Sequence, residues 1–271
     1  MPALNHKFAR LTHLPSMPVL LMEAVQQINS KPNMAILADK IGQDPSMAVR
    51  ILRVINSPFY GMPREIGSLR EAIVFLGLNR IRAMLMSLCF AKMLSAWHKD
   101  FDYHKLRHHS VAVAECSRQL AIRSGINPDL AFTAGLLHDI GDLAIAMLFP
   151  NEFGQLAKMP EIGIEAEQRI LGFDHSAIGG KAMQYWNLPQ AIQDAIEQHE
   201  KHPEPATAKS LGLLVYTANA LIVRTERSDT SALEEHDPIR TALAILQVSI
   251  EQTAHCTGSG RQFADQLLTL S

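Results

Sequence analysis

Apolar positions recur every three or four residues along nearly the whole chain, the spacing of helices that bury one face. Leu20, Ala24 and Ile28 predict a first helix after the Pro15/Pro18 turn. Met34 to Ile41 predicts a second, stopped by Gly42 and Asp44-Pro45, and Ser46 through Ile55 a third, ended by Asn56-Ser57-Pro58. Ser68 is placed to cap a helix through Leu76, and Asn79 opens a long one towards Leu94. The polar and aromatic stretch from Trp97 to Tyr103 predicts a joint. Beyond it, helices are expected at about 104–124, 129–148, 161–171, 175–186, 189–200, 206–225, 237–254 and 261–270. Asn127-Pro128-Asp129 and Leu188-Pro189 place proline where a first helical turn tolerates it. No run alternates apolar and polar residues between hairpin turns, so the expected fold class is all-α and multi-helical.

Composition narrows the class. The 271 residues are 47% hydrophobic and 19% charged, below the roughly 25% charge of an average soluble chain, so a sizeable core is expected and disorder is not. The longest uncharged stretches, such as Ser210 to Val223, fall short of the ~18 apolar residues of a membrane span. The N-terminus lacks the apolar core of a secretory signal. Cys89, Cys116 and Cys256 lie far apart with no CxxC pair, which fits a reducing cytoplasm and neither disulfides nor a zinc knuckle. A cytoplasmic chain with no membrane partner is the expectation. Net charge is −2, but 13 Lys/Arg against 7 Asp/Glu fall in residues 1–105, and 12 against 20 in the rest. A basic lobe docked on an acidic one explains that asymmetry most simply; an anionic partner is the alternative.

Candidate chemistry sits on the apolar stripes. The chain has 12 histidines, and several occupy positions where the helical pattern calls for an apolar residue. His109 shares a face with Leu106, Val113, Cys116 and Leu120; His199 follows Ile192 and Ile196; His175 sits with Ile178 and Ala182; Asn219 lies between Val215 and Ile222. His138 and Asp139 interrupt an otherwise apolar helix. A single buried histidine needs only a hydrogen-bond partner. Several, each on the inner face of a different helix together with a carboxylate, predict a site for a borderline divalent ion such as iron, manganese, zinc or nickel. Nucleic-acid binding is not expected. Residues 34–55 superficially suggest a helix-turn-helix, but Met47, Val49, Ile51, Leu52, Val54 and Ile55 leave its second helix little polar surface for a groove. The Met-rich run from Ala83 to Phe90 reads as core, or as the seam between lobes.

Two long stretches carry a family resemblance. QDPSMAVRILRVINSPFYG and SLREAIVFLGLNRIR resemble the N-terminal half of HDOD domains, the HD-related output domains of bacterial signalling proteins. HHSVAVAECSRQLA, AFTAGLLHDIGDLAIAML and FDHSAIGGKAMQYWNLPQAIQDAIEQHE resemble the HD half. The resemblance covers about residues 11–205 and implies an N-terminal helical lobe over 1–100, an HD-like lobe over 101–205 and C-terminal helices over 206–271, all in one unit.

The HD superfamily includes metal-dependent phosphohydrolases, among them HD-GYP cyclic-dinucleotide phosphodiesterases. By resemblance, His109 matches the first ligand histidine, His138 and Asp139 the namesake pair, and His175 and His199 later ligand histidines. Asn219 falls near the closing aspartate. Three positions depart from the hydrolase pattern: Gln198 replaces a second histidine of a pair, Asn219 carries no carboxylate, and Asp142 stands for a lysine. The GYP signature is absent. HDOD domains resemble degenerate, non-catalytic relatives, so the resemblance implies a signalling or regulatory module with other signalling proteins as partners. Its pocket would hold a metal, a nucleotide or nothing, with one ion favoured over two if metal is bound. The alternative is a metal-dependent phosphohydrolase acting on a nucleotide or cyclic dinucleotide, with Asp139 anchoring the metal. Arg80 and Arg82, in the basic lobe, are candidate phosphate ligands on charge alone.

Overall fold

The computed structural model describes residues 6–26, 45–58, 60–97, 103–159, 163–229, 231 and 233–269. Every regular element among them is helical. A 3-10 turn (Ala9–His13) precedes α1 (Val19–Gln26), α2 (Pro45–Ile55), α3 (Leu69–Leu76) and α4 (Leu78–Trp97). There follow α5 (Tyr103–Ser124), α6 (Pro128–Leu137), α7 (Ile140–Leu148), α8 (Pro150–Leu156), α9 (Ile164–Leu171), α10 (His175–Tyr185) and α11 (Gln190–Gln198). The chain continues with α12 (Leu211–Glu226), α13 (Pro238–Leu246) and α14 (Ile250–Thr269). The helix expected over Met34 to Ile41 and most of the joint after Trp97 lie outside the described residues.

Local chemistry explains most of the boundaries. Ser68 accepts from the backbone N–H of Glu71, and the Glu71 carboxylate accepts from Gly67 N–H, so α3 starts on a reciprocal cap. Asn127, Asp174, Ser210 and Asp237 cap α6, α10, α12 and α13 with side-chain oxygens. Three expectations need correction. The helix expected over 129–148 is two helices, broken at His138–Asp139, where Asp139 adopts φ −93°, ψ 17°. Helix α8 went unforeseen, although Pro150 marks its first turn. The helices expected over 237–254 and 261–270 divide instead at Gln247, which turns to φ 60°. The Gln252 side chain then accepts from Ser249 N–H, starting α14 with an S-x-x-Q cap.

The central helix is α4. Residues Ile81 to Ala91 are all buried, because α4 packs against α1, α2 and α3 and also against α5, α6 and α14. The Met-rich run is therefore core at the seam. The neighbouring α2 buries Met47, Ile51, Val54 and Ile55, although Val49 is 53% exposed. The stretch Pro128–Leu148 has the length and apolarity of a membrane span, longer than any stretch expected from the sequence. However, 78% of its apolar window is buried against the rest of the chain.

Two ion pairs cross this seam. Arg80 pairs with Glu115 at 2.6 Å, donates from Nε to the Tyr60 hydroxyl at 3.0 Å, and stacks 4.4 Å from the Phe263 ring. Arg118 holds the same carboxylate through two hydrogen bonds. Arg82 is 4% exposed and pairs with Asp129 at 2.5 Å. Arg80 and Arg82, expected from charge as phosphate ligands, thus serve to dock α4 on α5 and α6. Farther along, Lys7 Nζ donates to Leu171 O (2.6 Å) and a guanidinium N–H of Arg10 to Leu148 O (2.7 Å). Both caps complement carbonyls at the ends of α9 and α7.

Burial by itself would raise the Glu115 carboxyl, but the Arg118 hydrogen bonds and the Arg80 charge outweigh it and hold it below the usual carboxylate range. A depressed folded-state value contributes stability that is complete above the unfolded value, about 4.3, and is lost as pH falls through the folded one. Glu115→Gln is expected to cost about 3 kcal/mol at pH 7 in urea unfolding, since it leaves two arginines facing a neutral group. The gap between wild type and variant should narrow as pH falls below about 4. An equal gap at every pH would show that Glu115 acts through packing alone.

Candidate metal centre

The break between α6 and α7 turns the His138–Asp139 pair into the interior. Around it stand His109 on α5, His175 at the first position of α10, His199 at the end of α11 and Asn219 on α12. The structure thus brings together His109, His138, Asp139, His175, His199 and Asn219, residues far apart along the chain. Gly141 makes the meeting of α7 and α10 possible. A Cβ there would overlap the His175 carbonyl oxygen and lie 2.6 Å from its carbon. The Asp174 cap starts α10 with His175 facing inward.

Each of the four imidazoles has Nδ1 beside an oxygen acceptor. For His138 it is Gly135 O (2.9 Å), for His199 Ile196 O (2.7 Å), for His175 Glu167 Oε2 (2.9 Å) and for His109 Glu226 Oε1 (3.0 Å). Carbonyl and carboxylate oxygens only accept, so Nδ1 carries the proton and a neutral ring presents a bare Nε2 lone pair. Those Nε2 atoms converge on Asp139. His138 Nε2 lies 3.0 Å and His109 Nε2 3.7 Å from Oδ2, while His199 Nε2 and His175 Nε2 lie 3.5 and 3.9 Å from Oδ1. The two nitrogens of His175 and His199 face each other at 3.3 Å. His138 Nε2 is buried and has no hydrogen-bond partner. Lone pairs that face carboxylate oxygens and one another at these distances are satisfied either by protons on the rings or by a cation between them, and imidazoles anchored through Nδ1 suit a metal ion.

Protonation follows the same electrostatics. Burial keeps His138 below the usual imidazole range despite Asp139 beside it. Burial also works against charge on His175, but Asp142, Glu167 and Glu200 overcome it and raise His175 well above that range. His109 is raised too, with Glu226 and Asp139 outweighing its burial. Asp139 is held well below the carboxylate range by His138, His199 and His109, against burial. Asp142 is pushed up to about 7 by burial, and the charges of Asp139 and Glu167 add to the rise. The cluster therefore has more carboxylate than the fixed cations beside it can balance.

A cavity of about 550 Å³ opens on this cluster. Asp139, Asp142, Glu167 and Glu200 supply acid, Phe153, Ile164 and Val223 form apolar wall, and exposed Arg227 is the one Lys or Arg among the lining residues.

Two sequence expectations place differently. Gln198 is exposed, lies against Gly212 and does not line the cavity. Arg80 and Arg82 do not line the cavity. Four contributors were missed. Glu200 directly follows His199, and Glu226 lies two helical turns after Asn219, a same-face spacing that could have revealed it. Glu167 and Arg227 stand out by no pattern.

The HDOD domain model matches residues 14–202, most of the chain. The chain belongs to the HDOD domain family. An HDOD domain protein of unknown function from Geobacter sulfurreducens superposes with a TM-score of 0.79 at 24% identity, covering 98% of this chain and 99% of that one. A Shewanella amazonensis SB2B protein named "Putative phosphohydrolase" superposes at 0.74 with 23% identity, covering 96% and 97%. At those identities the superpositions establish the fold. An uncharacterized protein of Treponema pallidum (strain Nichols) is 26% identical over 266 residues, which is 93% of this chain; the chain spans about half the length of that relative. The all-α HDOD fold expected from the sequence is thereby established.

The close approach at Gly141 gives a direct test of how this HDOD core is built. Gly141→Ala is expected to lose about 1–3 kcal/mol or more in chemical denaturation, because the added methyl meets backbone. Gly154→Ala, with open space around its Cβ position, is expected to be neutral or to gain up to about 1 kcal/mol. Equal effects would show that α7 and α10 have room to separate.

Proposed function

We propose that the HDOD pocket of this chain is a divalent-metal centre and that the module acts on a phosphoester. The observation that carries this is the set of four Nδ1-anchored imidazoles facing Asp139, with His138 Nε2 buried against its Oδ2 at 3.0 Å. Two donor groups share Asp139: one with His109 and His138, the other with His175 and His199, each with donor atoms within 4.8 Å of one another. A shared carboxylate favours two ions over the single ion expected from the sequence. Imidazole and carboxylate donors fit iron, manganese, zinc or nickel. A bound divalent ion supplies Lewis acidity towards a phosphoryl oxygen and lowers the pKa of water. The protein's own part is to hold Asp139 ionised, to keep Asp142 near 7 where it can take or give a proton at the cavity wall, and to offer Arg227 to a phosphate at the rim. Four carboxylates around the cavity repel phosphate until cations occupy the cluster.

A regulatory module without turnover is the second reading, favoured by Asn219, an amide where the hydrolase pattern has a carboxylate, and by the lone exposed arginine at the rim. In either case other signalling proteins are the proposed partners and a nucleotide the proposed ligand. The resemblance of the chain to a protein named a phosphohydrolase supports the first reading at the level of fold.

Protein purified without chelator or tag metal is expected to carry about one to two ions per chain by mass spectrometry, and His138→Ala/Asp139→Ala none. Glu226→Leu, which removes the acceptor that orients His109, is expected to weaken metal binding by about 10–100-fold. Hydrolysis of nucleotides or cyclic dinucleotides that disappears in Asp139→Ala would establish turnover. Bound metal with no hydrolysis across that panel would establish the regulatory reading. Metal-free wild-type protein would defeat both metal readings.

A further inference from the structure

The hydrolase pattern ends on a carboxylate that Asn219 lacks. We infer that Glu200 supplies it as a direct metal ligand, with Asn219 as the residue that positions it. The inference rests on the metal reading above and adds to it which side chain closes the coordination shell.

Donor atoms 2.0–2.2 Å from a four-coordinate ion lie about 3.3–3.6 Å apart. Glu200 Oε1 lies 3.4 Å from His199 Nε2 and 3.8 Å from His175 Nε2. Asp139 Oδ1 lies 3.5 and 3.9 Å from the same two nitrogens, and these are 3.3 Å from each other. Glu200 thus stands to the imidazole pair as Asp139 does. Asn219 Nδ2 donates to Glu200 Oε1 at 3.3 Å, and its Oδ1 lies 3.1 Å from His109 Nε2. The amide donates to Glu200 on one side and on the other sets Oδ1 against His109 Nε2, two lone pairs that only a cation or a ring proton joins; a carboxylate at 219 would repel Glu200.

Two other carboxylates near the pair are turned the wrong way. Asp142 Oδ1 lies 3.9 Å from His175 Nδ1, and Glu167 hydrogen-bonds that same nitrogen. Both stand behind the ring, on the side away from His199. Glu200 and Asp139 both face the Nε2 atoms, 3.4 and 3.5 Å from His199 and a wider 3.8 and 3.9 Å from His175, whereas Asp142 and Glu167 gather at the opposite nitrogen of His175 as a separate donor group.

The test compares Glu200→Gln, Glu167→Gln, Asn219→Asp and the Glu200→Gln/Asn219→Asp pair with wild type, using chelator competition for affinity and Co²⁺ as a visible-spectrum probe. Glu200 is partly exposed and its Gln variant is nearly isosteric, so thermal unfolding of the metal-free proteins is expected to match wild type. Glu200→Gln is expected to lose more than the about 100-fold that an orienting residue costs and to shift the Co²⁺ bands. Glu167→Gln is expected to stay within that limit with the bands in place. Asn219→Asp in the Glu200→Gln background is expected to recover affinity by returning a carboxylate to the site. Wild-type affinity and an unchanged spectrum in Glu200→Gln, with binding still abolished by His138→Ala/Asp139→Ala, would overturn the assignment and leave the metal reading standing. Failure of wild type to bind Co²⁺ at all would overturn the metal reading itself.

Discussion

The arrangement of the pocket depends on one electrostatic constraint, the ionised Asp139 carboxylate at the centre of four imidazole nitrogens. Its burial would normally favour the neutral acid, and only the surrounding rings hold it charged. Each ring keeps its orientation through a hydrogen bond on the opposite nitrogen, two to backbone carbonyls one turn earlier and two to glutamates from other helices. Remove those anchors and the rings could rotate to satisfy Nε2 elsewhere. The helix break at His138–Asp139 is part of the same device, since a continuous helix would carry the two residues to different faces.

The rest of the fold exists around that junction. Helix α7 can pass beneath α10 only because residue 141 has no side chain, and α14 approaches α5 closely because Gly260 would otherwise press a Cβ against Ala112 O. The basic segment before α1 ties down the ends of α7 and α9 through Lys7 and Arg10. Arg80 and Arg82 clamp α4 to α5 and α6, which carry His109 and the approach to His138. Lys7, Arg10, Arg80 and Arg82, four of the positive residues in the first part of the chain, thus act in assembly. That leaves the cavity itself acidic, suited to cations first and to phosphate only through them.

Placement of the binding donors also bears on turnover. A hydrolase needs cations, a proton-handling group and space for a substrate, and this pocket has candidates for each in the imidazole–carboxylate cluster, Asp142 and the cavity. What separates a working site from a regulatory one is the completeness of the ligand set, which in the proposed centre depends on whether Glu200 serves as a ligand.

The sequence by itself determined the helical class, most helix starts and the identity of His109, His138, Asp139, His175 and His199 as one constellation. Helical periodicity and side-chain caps are local properties, and a polar residue on an apolar stripe is visible without coordinates. It read 129–148 as one helix because no proline or glycine stands at His138–Asp139 to mark the local departure from helical geometry there. It assigned Arg80 and Arg82 to phosphate because charge is legible in sequence, whereas the pairing of that charge with Glu115 and Asp129 is not. Gln198 and Glu200 lie on either side of His199, and only the tertiary structure decided that the first lies against Gly212 and the second at the cluster. That choice depends on where α11 ends and on what Asn219, nineteen residues away, can reach. Distances between groups far apart in the chain are fixed by how helices pack, and no local pattern encodes them.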